Sequence, residues 1–208
     1  MYKLYLLSFL SIVMAQVAFS QTFEKELEFA LQKKPKFDFR LDSRNTFISQ
    51  NGVRVFGFKF GVDYNRTLSF GLGYNQLLSN VKRDVYHHGL EQSAKLSYYY
   101  ISPYIDYTFY RDSKWELSIP VQLGIGEAFY EYSVNNKPVD FAKGFMFSYE
   151  PAISFQYKFL SYFGAGAGVG YRLMIVNNSN VKEQFTSPVY LFKFKIYFQD
   201  LYQDLFLK

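Results

Sequence analysis

One stretch constrains the fold more than any other: residues 94–130 form two strand-like runs around a short polar turn. Successive side chains of a strand point to opposite faces, so a period of two marks which residues share a face. Each run has one apolar face and one polar or small face. A hairpin this long with one apolar side is typical of a transmembrane β-barrel. The apolar positions are Tyr99, Ile101, Pro103, Ile105, Tyr107 and Phe109, then Trp115, Leu117, Ile119, Val121, Leu123 and Ile125.

The composition supports a barrel and argues against a helical membrane protein. The chain has 208 residues with 24 Phe and 20 Tyr, yet its mean hydropathy is only −0.13. A membrane-spanning helix needs an apolar run of about 18 residues or more, and none follows the N-terminal segment. A barrel places its apolar residues in alternation, which keeps the mean hydropathy near neutral.

Charge and cysteine content exclude several classes of function. The formal net charge is +5 without a run of Lys or Arg, which argues against nucleic acid as a partner. The absence of Cys excludes disulfides, thiol catalysis and thiolate metal sites. We predict no cofactor and no metal.

The N-terminus predicts export. Residues 1–20 have Lys3 before an apolar run, and the small residues Ala18 and Ser20 precede Gln21, as in a secretory signal peptide. Residues 21–35 are predicted to form an N-terminal periplasmic helix or linker that ends at Pro35. Residues 36–208 then form the barrel domain.

The remaining chain divides into eight strand-like segments. Connections between them alternate in length, as in bacterial outer-membrane barrels with short periplasmic turns and longer external loops. The predicted fold is therefore all-β: an eight-stranded antiparallel up-and-down transmembrane β-barrel with a short N-terminal helix. The predicted long connections are residues 44–52, 79–93, 131–143 and 177–186, and the short ones are 65–66, 111–114 and 160–162.

Two segments carry a resemblance to a known family: FGFKFGVDYNRTLSFGLGY (residues 56–74) and FYRDSKWELSIPVQLGIG (residues 109–126). The chain resembles the small eight-stranded outer-membrane β-barrel family of Gram-negative bacteria, with outer-membrane protein A-like and porin-like members. The resemblance implies a location in the bacterial outer membrane. Outer-membrane lipid is then an expected partner, together with an extracellular ligand or protein at the long loops.

The polar face is expected to line the interior as a lumen-facing polar network. An eight-stranded barrel is just wide enough for side chains, so charges of both signs are expected to pair inside it. Arg40 and Asp42 are candidates to join, and glycines on this face either make room for large neighbours or leave a cavity. The predicted network is Lys59, Asp63, Lys95, Asp106, Glu116, Glu150, Lys158, Arg172, Lys193 and Lys195.

The predicted function is a structural or surface-interaction role, with a rigid barrel that holds three long loops, residues 79–93, 131–143 and 177–186. No catalytic residue is predicted, because Glu116 and Glu150 have lysines available as partners. Three alternatives remain. They are a small porin-like channel, a secreted lipocalin-like binder of a lipophilic ligand with its apolar faces inward, and an outer-membrane enzyme.

Overall fold

The computed structural model describes residues 23–87, 90–134, 137–181 and 183–198. The predicted signal peptide therefore lies outside the described residues. The strands are β1 Lys36–Ile48, β2 Asn51–Tyr64, β3 Leu68–Leu77, β4 Lys82–His87, β5 Leu90–Arg111, β6 Trp115–Val134, β7 Lys137–Leu160, β8 Phe163–Val176 and β9 Ser187–Ile196.

Eight of these strands close a ring, which confirms the predicted fold class. Each strand pairs antiparallel with the next strand in sequence except β3 with β4, and two further pairings, β1 with β9 and β3 with β5, close the sheet. β4 lies outside the ring because it pairs only with residues 90–95 of β5, beyond the last residue of β5 that β3 reaches, Tyr99.

The two ends of the ring differ. One end carries the tight connections at residues 65–67, 112–114 and 161–162, and we call it the short-turn end. At the other, the long-hairpin end, β5, β6 and β7 continue past their neighbours because they have 22, 20 and 24 residues. The expectation of irregular loops at 79–93 and 131–143 is wrong. Both segments are largely strand, because a protruding hairpin tolerates polar residues on its solvated faces.

The first connection also differs from its prediction. The expected long link at 44–52 is wrong, since β1 continues to Ile48 and β2 begins at Asn51. Ser49 and Gln50 alone turn the chain, with φ angles of 45° and 70°. Two successive positive φ angles match the right-handed twist of a hairpin, as in a type I′ turn.

A short helix, α1 (residues 23–31), packs on the outer face of the ring at the short-turn end. Phe23 meets the ring of Tyr107 edge-on at 4.8 Å, and the hydroxyl of Tyr107 donates to Glu26 at 2.9 Å. Ala30 is fully buried. Among the described residues, no helix is long and apolar enough to cross a membrane.

The outer face of the ring is apolar and exposed, whereas the inner face is buried. Phe60, Ile105, Phe155 and Phe192 are each 46–52% exposed. The strands turn their alternate residues inward, so the core of the molecule is the interior of the ring.

Candidate functional site

The interior is divided along the barrel axis into two regions of opposite chemistry. On β5 the inward residues change from Leu96, Tyr98 and Tyr100 near the long-hairpin end to Ser102 and Asp106 near the short-turn end. We call the apolar region the cap core and the charged region the polar lumen. Their composition decides what the barrel can do.

The polar lumen is built around β1. Asp38, Arg40, Asp42 and Arg44 occupy alternate positions and are each no more than 4% exposed. The period of two of a strand directs all four side chains inward. Acid and base alternate along this row, so each charge has an opposite charge two residues away.

Arg44 lies in the part of the polar lumen that borders the cap core. Its guanidinium donates to the carboxylate of Asp42 at 2.7 Å and lies 2.9 Å from Glu150. It also donates to Asn75 at 2.7 Å and to Gln122 at 2.8 Å. The planar fork of Arg satisfies four acceptors from four strands at once.

Two further cations pair with the same carboxylates as Arg44. The ammonium of Lys59 lies 3.0 Å from Asp42, and the guanidinium of Arg172 lies 2.9 Å from Glu150. Arg172 also packs over the ring of Tyr100 at 5.6 Å. This aromatic ring is the boundary between the polar lumen and the cap core.

Arg40 occupies the middle of the polar lumen. It donates to Asp38 at 2.6 Å and forms a second ion pair with Asp106. Two lysines from β9 complete the group: Lys193 lies 3.4 Å from Asp106, and Lys195 lies 3.3 Å from Asp38. β1 and β9 are neighbours in the ring, which brings these charges together.

Two more ion pairs close the polar lumen at the short-turn end. Lys195 also donates to Asp63 at 2.7 Å. Arg66, in the β2–β3 turn, donates to Glu116 at 2.7 Å. The hydroxyl of Tyr197 donates to the same Glu116 at 3.3 Å.

Charge is balanced in the polar lumen. Burying an ion without a partner costs several kcal/mol, so a narrow interior tolerates charges only in pairs. The buried cations are Arg40, Arg44, Lys59, Arg172, Lys193 and Lys195, and the buried carboxylates are Asp38, Asp42, Asp63, Asp106, Glu116 and Glu150.

Little empty space remains among these groups. A cavity between Arg44, Lys59, Glu150 and Lys193 measures about 10 Å³, which is close to the room that one water molecule needs. The polar lumen is therefore a packed ionic core.

Glycines on the inward face make room for large neighbours, which was one of the two roles predicted for them. A Cβ on Gly61 would lie 2.5 Å from the hydroxyl oxygen of Tyr104. A Cβ on Gly124 would lie 3.1 Å from the ring of Tyr100. The space that these glycines vacate is filled by tyrosine rings.

The cap core fills the mouth of the barrel. Val181 and Phe185 are 2% and 0% exposed, and the ring of Phe185 lies 5.1 Å from that of Tyr98. The described residues of segment 177–186 form a long connection without strand structure, as predicted, but part of it lies inside the mouth and not at the surface. The segment folds into the mouth because its apolar side chains pack against the apolar inward faces of β2, β5 and β6.

Polar contacts fix the folded-in segment. The side-chain amide of Asn178 donates to the carbonyls of Ala128 and Ala142 at 3.0 and 2.6 Å. Glu183 is 1% exposed, lies 2.7 Å from the guanidinium of Arg83, and accepts a hydrogen bond from Tyr130. The segment is therefore bound to β4, β6 and β7.

The structure places the predicted network residues as follows. Lys59, Asp63, Asp106, Glu116, Glu150, Arg172, Lys193 and Lys195 are buried in the polar lumen. Lys158 is half-buried at the short-turn end, with its ammonium 4.6 Å from the ring of Tyr197. Lys95 is exposed, so its assignment to the interior is wrong. Lys95 is an even number of residues from Tyr99 and Ile101, so it shares their outward face of β5.

Sequence reasoning missed Arg44 and Asp38. Arg44 was assigned to a connection, although the alternation of Asp38, Arg40 and Asp42 continues through it.

Of the two histidines, His88 lies outside the described residues. No group of three His, Cys, Asp or Glu side chains in the described ranges is placed to hold a metal ion.

Comparisons with known proteins bear on the fold. Neither a scan with family models nor a search of curated proteins gives a match. The structure of Neisserial surface protein A is similar, with a TM-score of 0.59 and 13% identity over 79% of this chain and 99% of that chain. The fold is that of a small outer-membrane β-barrel.

Two other solved structures are similar to this chain at lower scores. The outer membrane protein OprG from Pseudomonas aeruginosa has a TM-score of 0.48 with 13% identity, over 79% of this chain and 97% of that chain. The attachment invasion locus protein Ail of Yersinia pestis has a TM-score of 0.45 with 12% identity, over 78% of this chain and 96% of that chain.

Proposed function

We propose that this protein is an outer-membrane barrel with a structural or surface-interaction role and a sealed interior. The observation that carries the proposal is the pairing of an exposed apolar outer face with an interior filled by the polar lumen and the cap core. An apolar belt around a closed ring is stabilised by lipid. A filled interior leaves the long-hairpin end as the working surface.

The direction of the apolar faces argues against the lipocalin-like alternative. Such a binder would turn Phe60, Ile105 and Phe192 inward around a lipophilic ligand. These side chains are exposed on the outside, and the inward positions next to them carry Lys59, Asp106 and Lys193. The lipid phase is therefore the apolar partner that this surface fits.

The working surface that we propose consists of the hairpins β4–β5 and β6–β7. They extend past the ring on one side, and β4 adds a further strand to that wall. Segment 177–186 packs against the inner face of the wall. A raised sheet that is supported from inside suits contact with an extracellular ligand or protein.

Catalysis has little support in this geometry. Glu116 and Glu150 are each engaged by an arginine, at 2.7 Å from Arg66 and 2.9 Å from Arg172. A general acid or base needs a pKa near the working pH and access to substrate. Buried, ion-paired carboxylates lack access to substrate.

Single-channel recording in planar lipid bilayers tests the sealed interior. We expect no conductance steps from protein whose folding is verified by the heat-dependent shift of its gel mobility. Steps of constant size from folded protein would contradict the sealed barrel and establish the channel. Fractionation of cells tests the location, and recovery in the soluble fraction would overturn the outer-membrane proposal.

A further inference from the structure

A groove of about 370 Å³ lies at the short-turn end, between α1 and the outer wall of the ring. It is distinct from the polar lumen, of whose residues only Arg66 also lines the groove. Its lining comprises Glu26 and Phe29 of α1, residues 65–67 of the β2–β3 turn, and residues 108–111 at the end of β5. α1 therefore forms one wall of the groove.

One wall of the groove presents a fixed carboxylate. The hydroxyl of Tyr107 donates to Glu26 at 2.9 Å, and Phe23 packs on the same Tyr107 at 4.8 Å. The two contacts hold one turn of α1 against β5. A carboxylate accepts several hydrogen bonds, so Glu26 retains acceptor capacity after the bond from Tyr107.

The opposite wall presents a guanidinium. Arg111 is exposed, and one of its N–H groups donates to the carbonyl of Asn65. Guanidinium has five N–H donors in a planar fork, which matches the oxygens of a phosphate. Arg66 also lines the groove, but its guanidinium is directed to Glu116.

The groove has apolar sides that continue the lipid-facing belt. Phe29, Phe109 and Tyr110 are 53%, 43% and 50% exposed. Trp115, across the β5–β6 turn, is 44% exposed at the same end. Aromatic side chains at this level are typical of the membrane interface, where headgroups and acyl chains meet.

We propose that this groove binds a glycerophospholipid whose headgroup ends in a primary ammonium. Arg111 binds the phosphate, Glu26 accepts hydrogen bonds from the ammonium, and the acyl chains lie along Phe29, Phe109 and Tyr110. The proposal rests on the outer-membrane location proposed above. A choline headgroup has no N–H to donate, and an anionic headgroup places its charge against Glu26.

Native mass spectrometry of the full chain tests this site. The protein is purified in a non-ionic detergent and mixed separately with phosphatidylethanolamine, phosphatidylcholine and phosphatidylglycerol of equal acyl length. We expect one tightly retained phosphatidylethanolamine. Arg111→Gln and Glu26→Gln should each weaken its binding about tenfold, the worth of one charge-assisted hydrogen bond. Arg111→Lys, which keeps the charge, should restore part of the binding.

Two neighbouring charges serve as matched controls. Lys114→Gln removes a cation from the same end of β5, and Glu28→Gln removes an exposed carboxylate from α1, but neither residue lines the groove. We expect both variants to bind as the wild type does. Gel mobility shifts verify that every variant is folded.

The results separate this site from the proposed function. Equal retention of phosphatidylethanolamine and phosphatidylcholine by the wild type would overturn the headgroup assignment. Equal losses in the control and groove variants would overturn the site. Either result, obtained with a membrane-bound and non-conducting barrel, leaves the proposed function standing. A soluble chain would remove both.

Discussion

The polar lumen and the cap core occupy the same ring of strands but are stabilised in different ways. On β2, Val53 and Val55 face the cap core. Lys59 and Asp63, further along the same inward face, lie in the polar lumen. On β6, Tyr130 and Ala128 face the cap core, and the inward positions closer to the short-turn end carry polar residues. The same alternate positions face inward along the whole of each strand, and only the chemistry of these inward side chains changes.

The difference lies in how specific the contacts must be. Arg44 and Glu150 are 106 positions apart in sequence, and their ion pair exists only when the whole ring closes in register. Apolar contacts have no direction, so a connecting segment can supply them. The polar lumen therefore depends on closure in the correct register, whereas the cap core also needs segment 177–186 to supply part of its apolar contacts.

The largest expected effect follows from removing a buried charge at the centre of the polar lumen. Arg44→Met leaves Asp42 and Glu150 short of a partner, so we expect a loss of about 3–5 kcal/mol in the free energy of unfolding. Urea titration of the barrel folded in lipid vesicles measures this loss. Arg54→Met is the control, because Arg54 is exposed on the adjacent strand and its loss should cost less than about 0.5 kcal/mol.

Equal losses in the two variants would show that the loss for Arg44→Met does not come from its buried ion pairs. A loss below about 1 kcal/mol for Arg44→Met would mean that the remaining cations redistribute to cover both carboxylates. Either outcome would contradict the dependence of the polar lumen on specific ion pairs.

A smaller effect, confined to one region, is expected from Phe185→Ala in the cap core. Removing a buried ring leaves a space beside Tyr98, and we expect a local loss of about 3 kcal/mol. Amide hydrogen exchange should become roughly 150-fold faster in segment 177–186 and unchanged on β1. The matched control is Phe145→Ala, since Phe145 is 53% exposed on β7.

Faster exchange on β1 in Phe185→Ala would contradict the independence of the cap core. Conductance steps that appear in this variant would show that segment 177–186 is the barrier to ions. We expect none, because the polar lumen below it remains filled.

The smallest effect concerns an exposed ion pair beyond the apolar belt at the long-hairpin end. The ammonium of Lys143 donates to Glu127 at 2.8 Å, and this hydrogen bond, with one from Tyr99, lowers the pKa of Glu127 from its ordinary value. The pair therefore stabilises the fold above the unfolded-state pKa of Glu127, and this contribution is lost as the pH falls through the folded-state value.

Carboxyl titration by NMR checks this expectation. Lys143→Gln should raise the pKa of Glu127 toward its ordinary value and leave thermal stability unchanged within error. Lys95→Gln is the control, because Lys95 is opposite Glu131 in the register and therefore lies four residues further along β6 than Glu127. An unchanged pKa in Lys143→Gln would show that the pair is not formed in solution.

Much of the barrel could be predicted because alternation is a local property. The aromatic face of β5 and the lysines of β9 were assigned to opposite sides from their spacing alone, and the structure places them there. Lys95 was misplaced because its charge was given more weight than its parity. Arg44 was missed because the first connection was predicted to begin at residue 44, whereas β1 continues to Ile48.

The fate of segment 177–186 could not be predicted in the same way. It has no alternation, and its Val181 and Phe185 look like isolated apolar residues in a polar loop. Their burial depends on the apolar inward faces of distant strands. Only the closed ring brings Tyr98 and Tyr130 within reach of the segment.

The sequence by itself determined the number of strands in the ring, the side of each strand that meets the outside, and the charges available to the interior. Each of these depends on spacing along a single strand. The tertiary structure decided which charges pair and that the mouth is closed. It also decided that α1 forms a groove against β5. These contacts join residues far apart in the chain, and their geometry is set by the closure and register of the whole sheet.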